Sequence, residues 1–255
     1  MKSTETVSAL PGKPVLYCRS VLWWLIFILS TLMFTIPVLL ASLVSAAWGY
    51  RVVRIWLQIN LGALRLICKL RYRIEGRENI PDQAGIVLSK HQSTFETLCM
   101  PMILTDPVFV AKRELALIPC FGWCLYTLQM ILIRRGSGRA AIRQMTEQSL
   151  DRMAQGRWVV VFPEGTRRPP GAEPIYKVGG AVVSHQTGAS VLPIAHNAGE
   201  FWPRLSFIKW PGEMTLIIGP PISPEGKTPD EILSETQQWI ESQQSQITQV
   251  DRFPY

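Results

Sequence analysis

The sequence has few of the residues that build metal or disulfide frameworks. It contains three histidines and five cysteines in 255 residues. The cysteines are odd in number and form no CxxC pair, and the histidines have no metal-ligand spacing. The sequence therefore predicts no bound metal and no disulfide framework, and its cysteines are typical of reduced thiols in a cytoplasmic protein.

Charge is absent from Val21 to Tyr50, a run of thirty residues. As one α-helix this run would be about 45 Å long, whereas a bilayer core needs about 20 residues. The excess length and the central Pro37 leave two alternatives, a tilted, kinked spanning helix or a shallow hairpin of two half-helices. Val44-Ser45-Ala46 also resembles a signal-peptide cleavage site, but the apolar run exceeds the usual ~7–15 residues.

Acidic residues are also absent from the segment that follows, until Glu75. This segment carries Arg51, Arg54, Arg65, Lys69, Arg71 and Arg73. By the positive-inside rule this flank is cytoplasmic. Residues 54–70 are typical of a helix on anionic lipid or, alternatively, of a core-packing amphipathic helix. We expect residues 1–70 to anchor the protein to a membrane, so that its net charge of +7 requires no nucleic-acid partner.

From about residue 84, short apolar runs alternate with helix-like stretches. The predicted strands are 85–89, 108–111, 130–133, 158–162, 191–195 and 214–219. Predicted helices begin at Ser93, cover 137–154 and 179–186, and begin again at Thr228, where Thr228-Pro229-Asp230-Glu231 is a capping-box pattern. The alternation predicts an α/β domain over residues 71–255, with a mixed, largely parallel sheet flanked by helices.

Polar residues follow the predicted strands, and ligands bind beyond the carboxyl ends of strands in such sheets. The strand ends lead into Lys90-His91, Lys112-Arg113, Arg134-Arg135, Glu164–Arg168 and His196-Asn197. We expect one rim that gathers a histidine and several cations, suited to an anion such as a phosphate beside a potential base. Taken alone, the loop at 163–168 is more typical of a solvated surface turn.

A glycine-rich stretch at 136–141 mimics the dinucleotide-binding fingerprint GxGxxG/A. The acid expected about 20 residues further on is missing, because Glu164 lies 28 residues beyond Gly136. A nucleotide-dependent oxidoreductase is therefore a minor alternative.

The stretch HQSTFE places a histidine before a predicted helix start. Ser93 and Glu96 form a capping-box pattern, which explains both residues without any catalytic role. His91 and Glu96 are five residues apart, about 500° on a regular helix, and so would not share a face. They can meet only if His91 precedes the helix and Glu96 lies in its first turn, which is where a capping box places the acid.

Four motifs occur in one order along the chain: HQSTFE (91–96), ILIRR (131–135), FPEGTR (162–167) and VLPIA (191–195). Together they resemble the four motifs of the glycerolipid acyltransferases, and the nearest class is the 1-acylglycerol-3-phosphate (lysophosphatidate) acyltransferases. Glu96 stands where most members of that family have aspartate. An N-terminal membrane segment is usual in the family.

The resemblance implies transfer of an acyl group from acyl-CoA or acyl-carrier protein to lysophosphatidic acid, giving phosphatidic acid. It implies a catalytic pair, His91 and Glu96, and no metal or bound cofactor. Substrate-binding residues carried over from the motifs are Arg135, Glu164, Gly165, Thr166, Arg167 and Lys112. The expected location is a membrane, with the catalytic domain on the cytoplasmic face (the inner membrane in a bacterium).

Alternatives remain open at this point. The acceptor could be a different lysophospholipid or a lyso-aminolipid. The mechanism could be covalent, through Ser93 or Cys99. The protein could also be a catalytically inactive membrane protein that binds lipid without turnover.

Overall fold

The computed structural model describes residues 11–134, 136 and 138–248. Its helices are α1 (Lys13–Val44), α2 (Ala46–Ile67), α3 (Phe95–Cys99), α4 (Phe121–Thr127), α5 (Arg139–Ala154), α6 (Gly179–Thr187), α7 (Ala198–Phe201) and α8 (Pro229–Ile247). Its strands are β1 (Leu70–Glu75), β2 (Ile86–Ser89), β3 (Val108–Lys112), β4 (Ile131–Ile133), β5 (Val159–Val161), β6 (Val191–His196) and β7 (Gly212–Ile218). Short 3₁₀ turns cover Arg77–Asn79, Met100–Met102 and Arg113–Leu117.

The seven strands form one sheet in the order β1-β7-β6-β2-β5-β3-β4. Neighbouring strands are parallel except for the antiparallel pair β6 and β7. This confirms the predicted mixed, largely parallel sheet, and each predicted strand agrees with an observed one to within two residues. The capping box predicted at Thr228 and Glu231 is also present.

Strand β1 was not predicted. Its sequence LRYRIE alternates apolar and charged residues, and its burial alternates in the same way from the buried Leu70. The strand lies at the edge of the sheet against β7, where one face can stay exposed. Its arginines also fit a basic membrane flank, so the sequence alone does not distinguish a strand here.

The apolar N-terminal run forms a helical hairpin. Helix α1 continues through Pro37, and the chain reverses at Ser45, whose side chain caps α2 by accepting from the Trp48 N–H at 3.3 Å. The predicted pair of half-helices divided at Pro37 is therefore not observed, because one unbroken helix takes up most of the apolar run, and the hairpin that α1 forms with α2 turns eight residues beyond Pro37. Val44-Ser45-Ala46, the sequence resembling a cleavage site, forms this turn.

The hairpin packs on the sheet. Leu57, Leu61 and Leu64 of α2 belong to the same buried cluster as Val87 and Val160 of the central strands. The core-packing alternative for residues 54–70 is thus observed for one face of α2. The other face of the sheet packs against α5, α6 and α8, so that both faces are covered.

Helix α1 buries one side and exposes the other. Trp23 is fully buried in the core, while large apolar side chains stand exposed along the opposite side: Leu22, Leu25, Leu29, Met33, Ile36, Leu40 and Leu43. Of the helices in the described part of the chain, only this one is long and apolar enough to cross a membrane.

Candidate active site

Loops from neighbouring strands meet at one edge of the sheet. Strand β2 is hydrogen-bonded to β5 on one side and to β6 on the other, all parallel. Their carboxyl ends therefore lie together and carry residues 90–96, 163–168 and 196–197. Strand β3 pairs with β5 and ends at Lys112, one position further along the sheet.

His91 and Glu96 are in direct contact. The Nδ1 atom of His91 lies 2.8 Å from Oε1 of Glu96. The same oxygen accepts the backbone N–H groups of Gln92 at 3.0 Å and Ser93 at 2.9 Å. Three donors on one oxygen fix the carboxylate, and through it the imidazole ring.

The predicted capping box at Ser93 is only half formed. Glu96 accepts from the Ser93 N–H as expected, but helix α3 begins later, at Phe95, with Thr94 as its N-cap. The Ser93 hydroxyl accepts from the Phe95 N–H at 3.2 Å rather than from the N–H of Glu96. Glu96 is therefore the second helical residue. Its side chain points back to His91, as the capping-box pattern predicted.

The imidazole ring of His91 lies between the Phe162 ring and the Glu96 carboxylate. It stacks on Phe162, with ring centroids 4.0 Å apart and planes inclined by 14°. An ionised carboxylate can only accept, so Nδ1 carries the proton and Nε2 keeps its lone pair. The side chain is 16% exposed, which leaves the ring accessible to a substrate.

Glu96 is completely buried. Burial raises the pKa of its carboxyl, but the His196 and His91 rings and the Ser93 N–H outweigh this and hold it below its usual value. The buried His196 donates from Nε2 to the Lys90 carbonyl at 2.8 Å and accepts the Ala198 N–H at Nδ1. The ring therefore fixes the carbonyl that precedes His91; burial lowers the pKa of His196, although the Glu96 carboxylate opposes this.

Glu164 reaches His91 from the other side. Its Oε2 accepts the backbone N–H of His91 at 2.9 Å, and its Oε1 lies 2.8 Å from the Lys90 ammonium. Lys90 also pairs with Glu241 of α8 at 2.8 Å, and the Tyr176 hydroxyl donates to the same Glu241 oxygen. Burial raises the pKa of Glu164 above its usual value, although Lys90 opposes the rise.

Cationic side chains surround the loop at 163–168. Gly165 closes a turn by donating to the Phe162 carbonyl, with a left-handed φ of +69° that favours glycine. The ammonium of Lys177 lies about 3.0 Å from where a Cβ would stand on this glycine. Arg167 donates to the Thr94 hydroxyl at 2.8 Å, and Arg204 lies 3.4 Å from the Thr166 hydroxyl.

Of the other expected site residues, Lys112 is exposed at the end of β3. Arg135 lies outside the described residues. No group of three metal-ligating side chains is placed to hold an ion in the described ranges.

The two candidate covalent nucleophiles are buried. The Ser93 hydroxyl accepts from the Phe95 N–H, and Cys99 lies in the apolar core. Burial raises the pKa of Cys99 to about 12, which keeps its thiol protonated at neutral pH. Neither environment activates a nucleophile.

Several site residues were not identified from the sequence: Glu241, Tyr176, Lys177 and Arg204. None of them lies in a motif, and Glu241 is 151 residues from Lys90. His196 could be placed at a strand end, but its contact with the Lys90 carbonyl carries no local sequence signal.

Comparison with known proteins places these features in a family context. A family model described as "Acyltransferase" matches residues 71–197. A 1-acyl-sn-glycerol-3-phosphate acyltransferase from Pseudomonas aeruginosa is 35% identical over 239 residues, covering 92% of this chain and 93% of its own. The alpha form from Mus musculus is 32% identical over 167 residues, covering 64% of this chain and 59% of its own.

A solved structure shares the fold. The crystal structure of the 1-acyl-sn-glycerophosphate acyltransferase from Thermotoga maritima matches with a TM-score of 0.76 at 24% sequence identity. The match covers 93% of this chain and 99% of the other. The helical hairpin and the sheet therefore belong to one shared architecture.

Proposed function

This chain belongs to the 1-acyl-sn-glycerol-3-phosphate acyltransferase family and is an O-acyltransferase, and on that premise we propose that it acylates the free hydroxyl of lysophosphatidic acid to give phosphatidic acid. The donor in this proposal is a fatty acyl thioester of coenzyme A or of acyl-carrier protein. The observation that supports it best is the His91–Glu96 contact beside a cationic loop.

His91 acts as the general base. Its Nε2 accepts the proton of the acceptor hydroxyl while that oxygen attacks the thioester carbonyl. The new C–O bond forms, the C–S bond breaks, and the imidazolium returns its proton to the departing thiolate. General-base assistance of this kind contributes roughly 10²–10⁴-fold. Glu96 fixes the tautomer and stabilises the transient imidazolium.

The loop at 163–168 binds the acceptor's phosphate. Arg167 supplies a guanidinium, which can hold a phosphate through two parallel hydrogen bonds. Gly165 shapes the turn that presents Thr166 and Arg167, and Lys112, exposed at the end of β3, is a further proposed ligand. Arg135 remains a predicted ligand.

Glu164 is also predicted to bind substrate, but its two oxygens contact Lys90 and the His91 N–H. We therefore assign it a positioning role, in which it holds the backbone from which the base projects.

The exposed apolar side of α1 holds the protein at the bilayer in which the acceptor dissolves. An apolar face of this size is unfavourable in water and favourable in hydrocarbon. The basic residues between 51 and 73 support a catalytic domain on the cytoplasmic side. Acceptor and product then both stay in the membrane.

The test is an assay of detergent-purified protein with labelled lysophosphatidic acid and, in parallel, acyl-CoA and acyl-carrier protein donors. The variants are His91→Ala and, as a matched control, His185→Ala, whose ring is exposed on α6 and contacts only the Lys227 carbonyl among the described contacts. We expect phosphatidic acid from wild type and His185→Ala, and a loss of roughly 10²-fold or more in His91→Ala.

Equal rates for wild type and His91→Ala would refute the base. Turnover of another lysophospholipid, with none of lysophosphatidic acid, would keep the mechanism and change the acceptor. Phospholipid binding without turnover of any acceptor would contradict the proposed function.

A further inference from the structure

The segment between α7 and β7 connects the membrane helix with the cationic loop of the site. We call residues 203–209 the bridging loop. At one end, Arg204 lies 3.4 Å from the Thr166 hydroxyl. At the other end, the Lys209 backbone N–H donates to the Ser20 hydroxyl of α1 at 3.0 Å.

Lys209 anchors the bridging loop. Its side chain is fully buried, and its ammonium lies 4.3–5.1 Å from the ring centroids of Trp23, Trp24 and Trp202. The ammonium also donates to the backbone carbonyls of the bridging loop, at 2.9 Å to Phe207. Burial lowers the pKa of Lys209 to about 7, so this end of the loop is fixed to α1 by the Ser20 contact and the carbonyl hydrogen bonds together with the three aromatic faces.

The tip of the bridging loop is apolar and exposed. Leu205 is 85% exposed and adopts a left-handed φ of +63°, which is strained for a residue other than glycine. Phe207 is partly exposed and stacks on Tyr17 of α1, with centroids 6.2 Å apart. The tip therefore extends the apolar side of α1 that we propose to lie in lipid.

These contacts place Arg204 between the lipid-facing surface and the cationic loop. Its guanidinium contacts the Thr166 hydroxyl, the next residue, Arg167, contacts the Thr94 hydroxyl, and the ammonium of Lys177 lies close to Gly165. In the described contacts, Arg204 pairs with no carboxylate. A second guanidinium beside the phosphate-binding residues is suited to a phosphate monoester, which carries close to two negative charges at neutral pH.

We propose that Arg204 binds the phosphate of the lysolipid acceptor as it enters from the bilayer, and that Lys209 in its tryptophan cage is the positioning residue that holds Arg204 there. This inference rests on the proposed function and adds a ligand to the same site. It assigns the bridging loop to the acceptor, so the acyl donor is unaffected by it.

The test compares Arg204→Ala and Arg204→Lys with wild type in the full-length protein. The control is Arg143→Ala, which removes an arginine that is exposed on α5 and paired with Glu147. We expect Arg204→Ala to raise the KM for lysophosphatidic acid roughly 10-fold, by loss of a charge-assisted hydrogen bond. The kcat and the KM for acyl-CoA should change by less than about twofold, with partial recovery in Arg204→Lys.

Flotation on phosphatidylglycerol vesicles separates binding of the acceptor from attraction to an anionic membrane. Unchanged flotation of Arg204→Ala with a raised acceptor KM supports the inference. A loss of flotation that accounts for the whole rise in KM would overturn it, because Arg204 would then act on the bilayer surface. An unchanged acceptor KM also overturns it while leaving the proposed function intact, and a wild type inactive on lysophosphatidic acid overturns both.

The role of Lys209 is tested by a double-mutant cycle. Lys209→Met should raise the acceptor KM several-fold in the wild-type background and add little in Arg204→Ala, because both changes remove the same contact. Lys209→Arg keeps the cation and should restore most of the affinity. The opposite outcome is that Lys209→Met changes kcat, the acceptor KM and the acyl-CoA KM equally, with or without Arg204. That result would make Lys209 a purely structural residue and overturn its proposed positioning role.

Discussion

Two buried glutamates hold His91, one through its ring and the other through its backbone. Glu96 accepts three N–H donors on a single oxygen, two of them from the backbone of its own loop. Glu164 accepts one backbone N–H and depends on the Lys90 ammonium for its second contact. The net shifts differ in sign: the pKa of Glu96 lies below its usual value and that of Glu164 above it.

The difference shows that burial alone does not define the role of a carboxylate. Backbone N–H groups and histidine contacts keep Glu96 ionised despite complete burial, which is what an imidazole needs from its partner during proton transfer. Glu164 is stabilised by a cation that is shared with Glu241. We therefore expect substitution of Glu96 to affect chemistry and substitution of Glu164 to affect positioning and stability.

The largest expected effect is that of Glu96→Gln. The glutamine amide would present a donor to Nδ1 or lose its backbone contacts, so Nε2 would carry the proton and could not act as a base. A drop of roughly 10³–10⁴-fold in kcat is expected, as for other triads with the wrong tautomer. The measurement is single-turnover acyl transfer at saturating acceptor, with Glu96→Asp as the control that keeps the acid. A loss below about tenfold in Glu96→Gln would show that the ring needs no fixed tautomer.

Glu164→Gln should have a smaller effect on rate and a clear effect on stability. Glutamine can still accept the His91 N–H, so kcat should fall about 10-fold, less than the ~10²-fold of a 1 Å misplacement. Loss of the charge opposite Lys90 should lower the free energy of unfolding by about 1–3 kcal/mol. Denaturant unfolding in detergent measures this, and Lys90→Met with Glu164→Gln should recover part of it. A rate loss equal to that of Glu96→Gln would remove the distinction between the two glutamates.

Glu241→Gln tests the outermost member of the network. Its side chain is 28% exposed, and a glutamine there still accepts from Tyr176 and Lys90. We expect a change of less than about threefold in kcat and about 1 kcal/mol or less in unfolding free energy, as for partly exposed pairs. A larger loss of activity would mean that α8 controls the position of His91 more strongly than Glu164 does.

The sequence predicted the sheet because its central strands are continuous apolar runs between punctuating loops. Leu88 and Val161 are examples, fully paired at the centre of the sheet. Strand β1 escaped prediction because half of its residues are charged. The expected hairpin of two half-helices at Pro37 was wrong, because α1 continues through Pro37 and the chain reverses only at Ser45, where α2 begins.

The contact between His91 and Glu96 could be anticipated because the two residues are five apart and one geometry alone allows them to meet. The contacts of Lys90 with Glu241 and of Lys209 with Trp23 join distant parts of the chain. Charged and aromatic residues that lie so far apart in the sequence form no periodic pattern, so only the folded structure shows which of them are in contact. The same holds for Arg204, which lies in a segment without a recognisable motif.

The finest test of the comparison is the dependence of stability on pH, since the two glutamates should act with opposite sign around their ordinary pKa of 4.5. The folded pKa of Glu164 is raised, so between that pKa and 4.5 the native state binds more protons than the unfolded state and stability increases as pH falls. The folded pKa of Glu96 is lowered, so below 4.5 the unfolded state binds more protons and stability decreases as pH falls.

Thermal midpoints of wild type relative to each glutamine variant isolate the two groups, because glutamine does not titrate. The advantage of wild type over Glu164→Gln should grow as pH falls toward 4.5, and its advantage over Glu96→Gln should shrink only below 4.5. Two gaps that move in the same direction over the same range would mean that both carboxylates experience one environment, and the division between proton-transfer partner and backbone support would fail.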